Sequence, residues 1–514
     1  MLAVVSGLRA SIPEPVKTDA GLLSGTPAAA AGVRVFKGIP FAAPPIGELR
    51  WRAPQAVAKW TAVRKADTFG NVCVQPKGVG RANVSVDLPD SPAASEDCLY
   101  LNVWSAAGSA AERRPVMFWI FGGAYTEGAG SSPHNDGAAL ARKGVVVVTF
   151  NYRLGPFGFF SHPELTKESG HNASGNQALM DAIAALKWVQ ANIAAFGGDP
   201  RNVTIFGESA GAAIAAGLVA SPHTSGLFRR AISESGAWMG LSIAAMRTRP
   251  QAEQPAGRRG APPPVLMPLA ELRKKSAEEI SRTFSGAGMI ADGWIIPQDA
   301  SLTFAQGRQR PVDVLVGSNK DEGTFADDTT AIAWTNRVRA RWGDLAEDYL
   351  KLYPASSDEE ATRSSRTAFR DELAWQMRLY ASLQMKRGNR AYWYFFTHEP
   401  PYAPGARNLK ATHAAEIPYV FNNLHLPRVF PDASSPELAS ASASERAFAE
   451  RVSAYWANFA RTGDPNGTGL PRWPAFGDAS DAPMIIGEIS EAPDPQRLAT
   501  YDKLHAKILA GLKD

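Results

Sequence analysis

No apolar run in the sequence nears the ~18 residues that a membrane-spanning helix needs. Its strand-like runs, Met117–Phe121 and Val145–Phe150, are far shorter. Cysteine is scarce. Cys73 and Cys98 are the only two in 514 residues, too few for a disulfide-dense scaffold, and no histidine pair is spaced beside them as a zinc site requires. Neither sign of charge prevails: 54 Lys and Arg face 50 Asp and Glu, and a net +4 gives no support to a nucleic-acid binder. No internal repeat is present. A composition of 45% apolar and 20% charged residues excludes a disordered or low-complexity chain. The start is mildly apolar (Leu2, Ala3, Val4, Val5) without a cationic lead, and 1–14 reads as a tail, either a frayed end or the remnant of a signal peptide. One domain is expected over 15–514.

What is there alternates strand-like and helical patterns, the mark of an α/β fold with a mostly parallel sheet flanked by helices. Val116–Phe121, Val145–Phe150 and Val203–Phe206 read as strands, the first two as continuous apolar runs buried on both faces. Ala178–Phe196 reads as a helix stopped by Gly197-Gly198-Asp199-Pro200. Val312–Gly317 and Ala391–Thr397 read as further strands, and Glu445–Thr462 and Gln496–Leu512 as closing amphipathic helices. Residues 245–275 stand apart, with seven basic residues, two acids and six prolines. This segment reads as a mobile surface insertion, or as a lid or substrate-facing loop.

The chemistry centres on Gly207-Glu208-Ser209-Ala210-Gly211, which follows a strand and precedes a small-residue run that can be helical. A turn sharp enough to lift a serine hydroxyl above a sheet strains the backbone, and small neighbours relieve the crowding. Serine needs a histidine base oriented by a carboxylate, in the chain order serine, acid, histidine. The strand Val312–Gly317 runs into Asp321 and Glu322, two adjacent candidates that spacing does not separate. For the base, His398 at a strand end and His413 in the following loop stand level, while His505 reads as a solvated helix residue. Phe121-Gly122-Gly123-Ala124-Tyr125 follows the first strand, where backbone N–H groups can face a carbonyl oxygen together with that of Ala210.

These stretches, together with Phe36-Lys37-Gly38-Ile39-Pro40-Phe41-Ala42, Ser95-Glu96-Asp97-Cys98-Leu99-Tyr100-Leu101-Asn102-Val103, Asn151-Tyr152-Arg153 and His413-Ala414-Ala415-Glu416-Ile417-Pro418-Tyr419-Val420-Phe421, resemble the type-B carboxylesterases of the cholinesterase/carboxylesterase family, in their bacterial para-nitrobenzyl-esterase-like branch. The resemblance spans about Pro15 to the last helix. It implies the α/β-hydrolase fold with lid or cap insertions, Ser209 as nucleophile, Glu322 as acid and His413 as base. It also implies an oxyanion hole from Gly123, Ala124 and Ala210, supporting roles for Glu208 and Ser235, and a Cys73–Cys98 disulfide that would place the protein outside the cytoplasm. Arg50, Glu96, Arg153 and Asp181 match structural or ion-pairing positions.

The expected reaction is carboxylic-ester hydrolysis through an acyl-enzyme, with no metal or cofactor, a small-molecule ester as partner and a monomeric chain. An amidase or thioesterase on the same groups, or a non-catalytic binding relative, is the alternative. Val86–Pro92 lacks the tryptophan with which cholinesterases grip a quaternary ammonium, which argues against choline esters. Ala124 stands where many members have a third glycine, and its methyl narrows the expected acyl pocket. The basic 245–275 segment suggests bulky or carboxylate-bearing esters, such as the tricarballylate esters of fumonisins that bacterial relatives cleave.

Overall fold

The structure is a computed structural model that describes residues 12–76, 92–237, 246–254 and 264–511, except 425–440 and positions 287, 325, 403, 406, 479 and 480. The loop 86–91 and Arg258 and Arg259 of the basic segment therefore lie outside the described residues. Of the tail, 1–11 lie outside as well. Residues 12–14 are not frayed: Ile12 joins the core and Glu14 pairs with Arg34.

One ten-stranded sheet organises the chain. Its strands are β1 (Thr26–Pro27), β2 (Arg34–Pro40), β3 (Tyr100–Ser105), β4 (Arg114–Ile120), β5 (Val146–Phe150), β6 (Gly198–Glu208), β7 (Arg230–Glu234), β8 (Asp313–Asn319), β9 (Ala391–Phe396) and β10 (Met484–Ile486). Their spatial order is β10-β9-β8-β7-β6-β4-β5-β3-β2-β1. All neighbours from β10 to β5 run parallel, whereas β3, β2 and β1 add antiparallel pairings. Strands β4, β5, β6, β8 and β9 fall where the apolar runs predict them, whereas the sequence reading did not single out β7 or β10; every residue of β5 is buried, as helices on both faces require.

Five helices matter for the site: α1 (Gln177–Asn192), α2 (Ala210–Ala220), α3 (Asp358–Met385), α4 (Ala443–Thr462) and α5 (Pro495–Gly511). The sequence reading did not single out α3, a 28-residue helix. Its apolar face is interrupted by Asp371 and Glu372, which are buried because Tyr353 and Arg497 partner the first and Arg341 the second. A second correction concerns His505. It is not solvated: its ring packs 5.1 Å from that of Trp375, and burial pulls its pKa below the ordinary histidine value.

The described part of the basic segment is anchored rather than mobile. Leu269 and Leu272 pack with Trp51, Phe157 and Phe160, and Arg50 donates to the carbonyls of Leu272 and Lys275. Four of its described cations are engaged too. Arg249 lies 3.6 Å from Glu253, Arg273 2.9 Å from Glu168, Lys274 2.9 Å from Glu271 and Lys275 3.1 Å from Glu279. Cys73 and Cys98 form a disulfide, and Arg50–Glu96 and Arg153–Asp181 form buried or nearly buried ion pairs.

Candidate active site

Parallel pairing brings the ends of the strands into line. Ile120 pairs with Gly207, Glu208 with Glu234, Glu234 with Gly317, and Asn319 with Phe396. The segments leaving β4, β6, β7, β8 and β9 therefore emerge along one edge, where ligands bind in open α/β sheets. Residues 121–125, Ser209, Ser235, Glu322, His398 and His413 all follow those strand ends.

Ser209 occupies the turn between β6 and α2 with φ 54° and ψ −122°, a backbone conformation in which strain is stored. The turn is tight enough that a Cβ on Gly211 would collide with the carbonyl oxygen of Ile120. The Ser209 N–H donates to the Glu234 carbonyl at 2.9 Å, which ties the turn to β7. The N-terminus of α2 carries partial positive charge toward this point.

Gly123, Ala124 and Tyr125 have φ of 106°, 50° and 65°. This left-handed run folds back so that the N–H groups of Thr126 and Glu127 donate to the Gly123 carbonyl. The N–H groups of Gly123, Ala124 and Ala210 donate to no described residue.

The acid and base alternatives separate in space. His413 Nδ1 lies 2.6 Å from Glu322 Oε2. Glu322 is fully buried, and its Oε1 accepts from the Ser235 hydroxyl at 2.6 Å and from the Asn319 N–H at 2.7 Å. Asp321 instead faces the loop at 411–412 and Lys320. His398 is committed elsewhere, with Nδ1 2.8 Å from Glu488 and Nε2 2.9 Å from the Tyr419 hydroxyl and 3.1 Å from Glu445.

Glu208, next to Ser209, reaches the other ring nitrogen of the imidazole, with Oε1 3.1 Å from His413 Nε2. Burial raises its pKa to about 8, with Glu416 and Glu322 adding to the effect and His413 opposing it. Burial would lower the pKa of His413, but the charges of Glu208 and Glu322 outweigh it and lift the imidazole to about 10.

Four contributors were not assigned roles from sequence. Glu416 accepts from Asn319 Nδ2 at 2.5 Å, and burial together with Glu322 raises its pKa to about 7. Asn319 thereby links two buried carboxyls. Glu234 accepts from Trp456 Nε1 at 2.7 Å, and burial pushes its carboxyl well above the usual range. Glu416 lies three residues beyond His413 in a short turn, a spacing that could have flagged it. Trp456 on α4 carried no such signal. Among the described residues, no cluster of three or more His, Cys, Asp or Glu is arranged to hold a metal ion, and no helix is long and apolar enough to cross a membrane.

The profile of the carboxylesterase family matches residues 13–502. A fumonisin B1 esterase from Sphingopyxis macrogoltabida is 38% identical over 86% of this chain and 82% of its own. A para-nitrobenzyl esterase from Bacillus subtilis is 36% identical over 94% of this chain and 96% of its own. The solved carboxylesterase Est55 of Geobacillus stearothermophilus superposes with a TM-score of 0.76 at 35% identity, covering 94% of this chain and 99% of that one.

Proposed function

This chain belongs to the carboxylesterase family, with the α/β-hydrolase fold of its solved relatives, and on that premise we propose a serine mechanism at the edge just described. Ser209 is the nucleophile. His413 takes its proton as the hydroxyl oxygen attacks the ester carbonyl, and Glu322 orients the ring and stabilises the imidazolium. The N–H groups of Gly123, Ala124 and Ala210 hold the oxyanion. His413 then returns the proton to the leaving alcohol, and water hydrolyses the acyl-enzyme by the same route. The observation that carries this reading is the 2.6 Å pairing of His413 with Glu322, beside the residue that precedes Ser209. Loss of ester turnover in step with covalent labelling of Ser209 by a fluorophosphonate, located by peptide mass spectrometry, tests it; labelling elsewhere or none overturns it. A matched amide assayed beside the ester separates an esterase from an amidase.

For substrate we propose bulky esters, including carboxylate-bearing ones of the tricarballylate type. The similarity to a fumonisin B1 esterase supports this. The ion pairs of the basic segment place a limit on it. Arg247 is half-buried and paired with no described carboxylate, so it is the described cation of that segment left to meet an anionic arm. An ester panel varied in charge tests the idea; equal kcat/KM for anionic and neutral members of equal size rejects it. The disulfide supports an extracellular or periplasmic setting. We propose further that 15–514 act as one domain and a monomer.

A further inference from the structure

Phe369 on α3 is a large aromatic left 38% exposed, in a helix whose other large apolar side chains are mostly covered. Its ring stands 6.0 Å from the His413 imidazole, edge to face at 72°. The approach is built into the backbone. Gly323 directly follows Glu322, and a Cβ there would lie 2.6 Å from the Cα of Arg366, so α3 lies directly against the loop that carries the acid. Arg366 holds that contact through the Ala326 carbonyl and Asp328. Phe369 lies one turn further along the same helix face, which delivers its ring to the imidazole.

Resting on the serine mechanism above, we infer that Phe369 is the wall of the leaving-group subsite and selects esters whose alcohol part is bulky and apolar. The imidazole returns its proton to the departing alkoxy oxygen, so that oxygen must come within hydrogen-bond reach of His413. The carbonyl oxygen meanwhile points at Gly123, Ala124 and Ala210. The carbon chain attached to the leaving oxygen therefore passes close to whatever flanks the imidazole, and among the described residues the exposed ring beside it is Phe369. An aromatic or branched alcohol covers that ring and removes both surfaces from water, whereas ethanol is too short to do so.

The experiment compares Phe369→Ala and Phe369→Leu with the wild type on ethyl acetate, benzyl acetate and ethyl hexanoate. In Phe369→Ala, the ratio of kcat/KM for benzyl acetate to that for ethyl acetate is expected to fall about ten-fold, largely through KM, with Phe369→Leu intermediate. The ratio of ethyl hexanoate to ethyl acetate stays at the wild-type value. An unchanged benzyl ratio overturns the inference, as does a fall in the hexanoate ratio or an equal loss on all three esters, which would mark a merely structural role. The serine mechanism is judged separately, by labelling of Ser209, so the two readings fail by different observations.

Discussion

The Ser235 hydroxyl donates at 2.6 Å to the oxygen of Glu322 that faces away from His413, while the other oxygen lies 2.6 Å from His413 Nδ1. Ser235 sits at the end of β7 with φ 51°, so a strained residue on one strand fixes a carboxylate delivered by the next. Replacing Ser235 with Ala leaves that buried oxygen with only the Asn319 N–H. A hydrogen bond to a charged group contributes about 1.5–3 kcal/mol, so kcat is expected to fall about ten-fold or more with KM nearly unchanged. A folded Ser235→Ala protein with wild-type kcat would show that Glu322 needs no such support.

Ser209→Ala is expected to lower kcat by roughly 10⁴–10⁶, with residual rate from the oxyanion donors and binding alone. Steady-state hydrolysis of a chromogenic ester measures it, and near-normal turnover would remove the serine from the mechanism.

Because the charges of Glu208 and Glu322 overcome burial and hold the proton on His413, the acidic limb of kcat/KM should lie above the ordinary histidine value of ~6.5. The sign follows from the roles: an imidazolium accepts no proton, so a higher pH is needed to free the base. Glu208→Gln removes one supporting charge and should move the limb to lower pH, with Glu322 and Glu416 still facing the ring. A pH–rate profile identical in wild type and variant contradicts this account.

His398 responds to pH in a different way. Burial disfavours its charged form, but hydrogen bonds and charges from Glu445 and Glu488 prevail and raise its pKa. A raised folded value contributes stability fully below the unfolded ~6.5 and loses it as pH rises through the folded value. The gap in Tm between wild type and His398→Gln should therefore be wider at pH 6 than at pH 9. A gap that grows with pH reverses the assignment.

The Cys73–Cys98 bond joins residues 25 apart, and loop-closure entropy assigns such a cross-link about 3 kcal/mol. The double variant Cys73→Ser with Cys98→Ser should unfold at lower denaturant, and reductant should bring the wild type to the same midpoint. Coincident midpoints without reductant would mean that the bond does not form.

The sequence by itself determined the local facts. Apolar runs marked five of the parallel strands, because a strand covered on both faces is mostly apolar, and Gly207-Glu208-Ser209-Ala210-Gly211 marked the turn, because a Cβ at Gly207 or Gly211 would strike the neighbouring backbone. Chain order set serine before acid before histidine. Tertiary structure decided what local spacing left open. Spacing put Asp321 level with Glu322 and His398 level with His413, and the family resemblance pointed to Glu322 and His413; in the fold Glu322 is the one that meets His413, and His398 is engaged by Glu445 and Glu488, which lie on two other segments. His505 looks solvated in its helix until Trp375 of α3 covers it. The pairing of the basic segment with Glu168, and the placing of Phe369 beside the imidazole, are likewise contacts between residues far apart in the chain. Local pattern records which face of an element is buried, but it holds no information about which distant side chain will cover it.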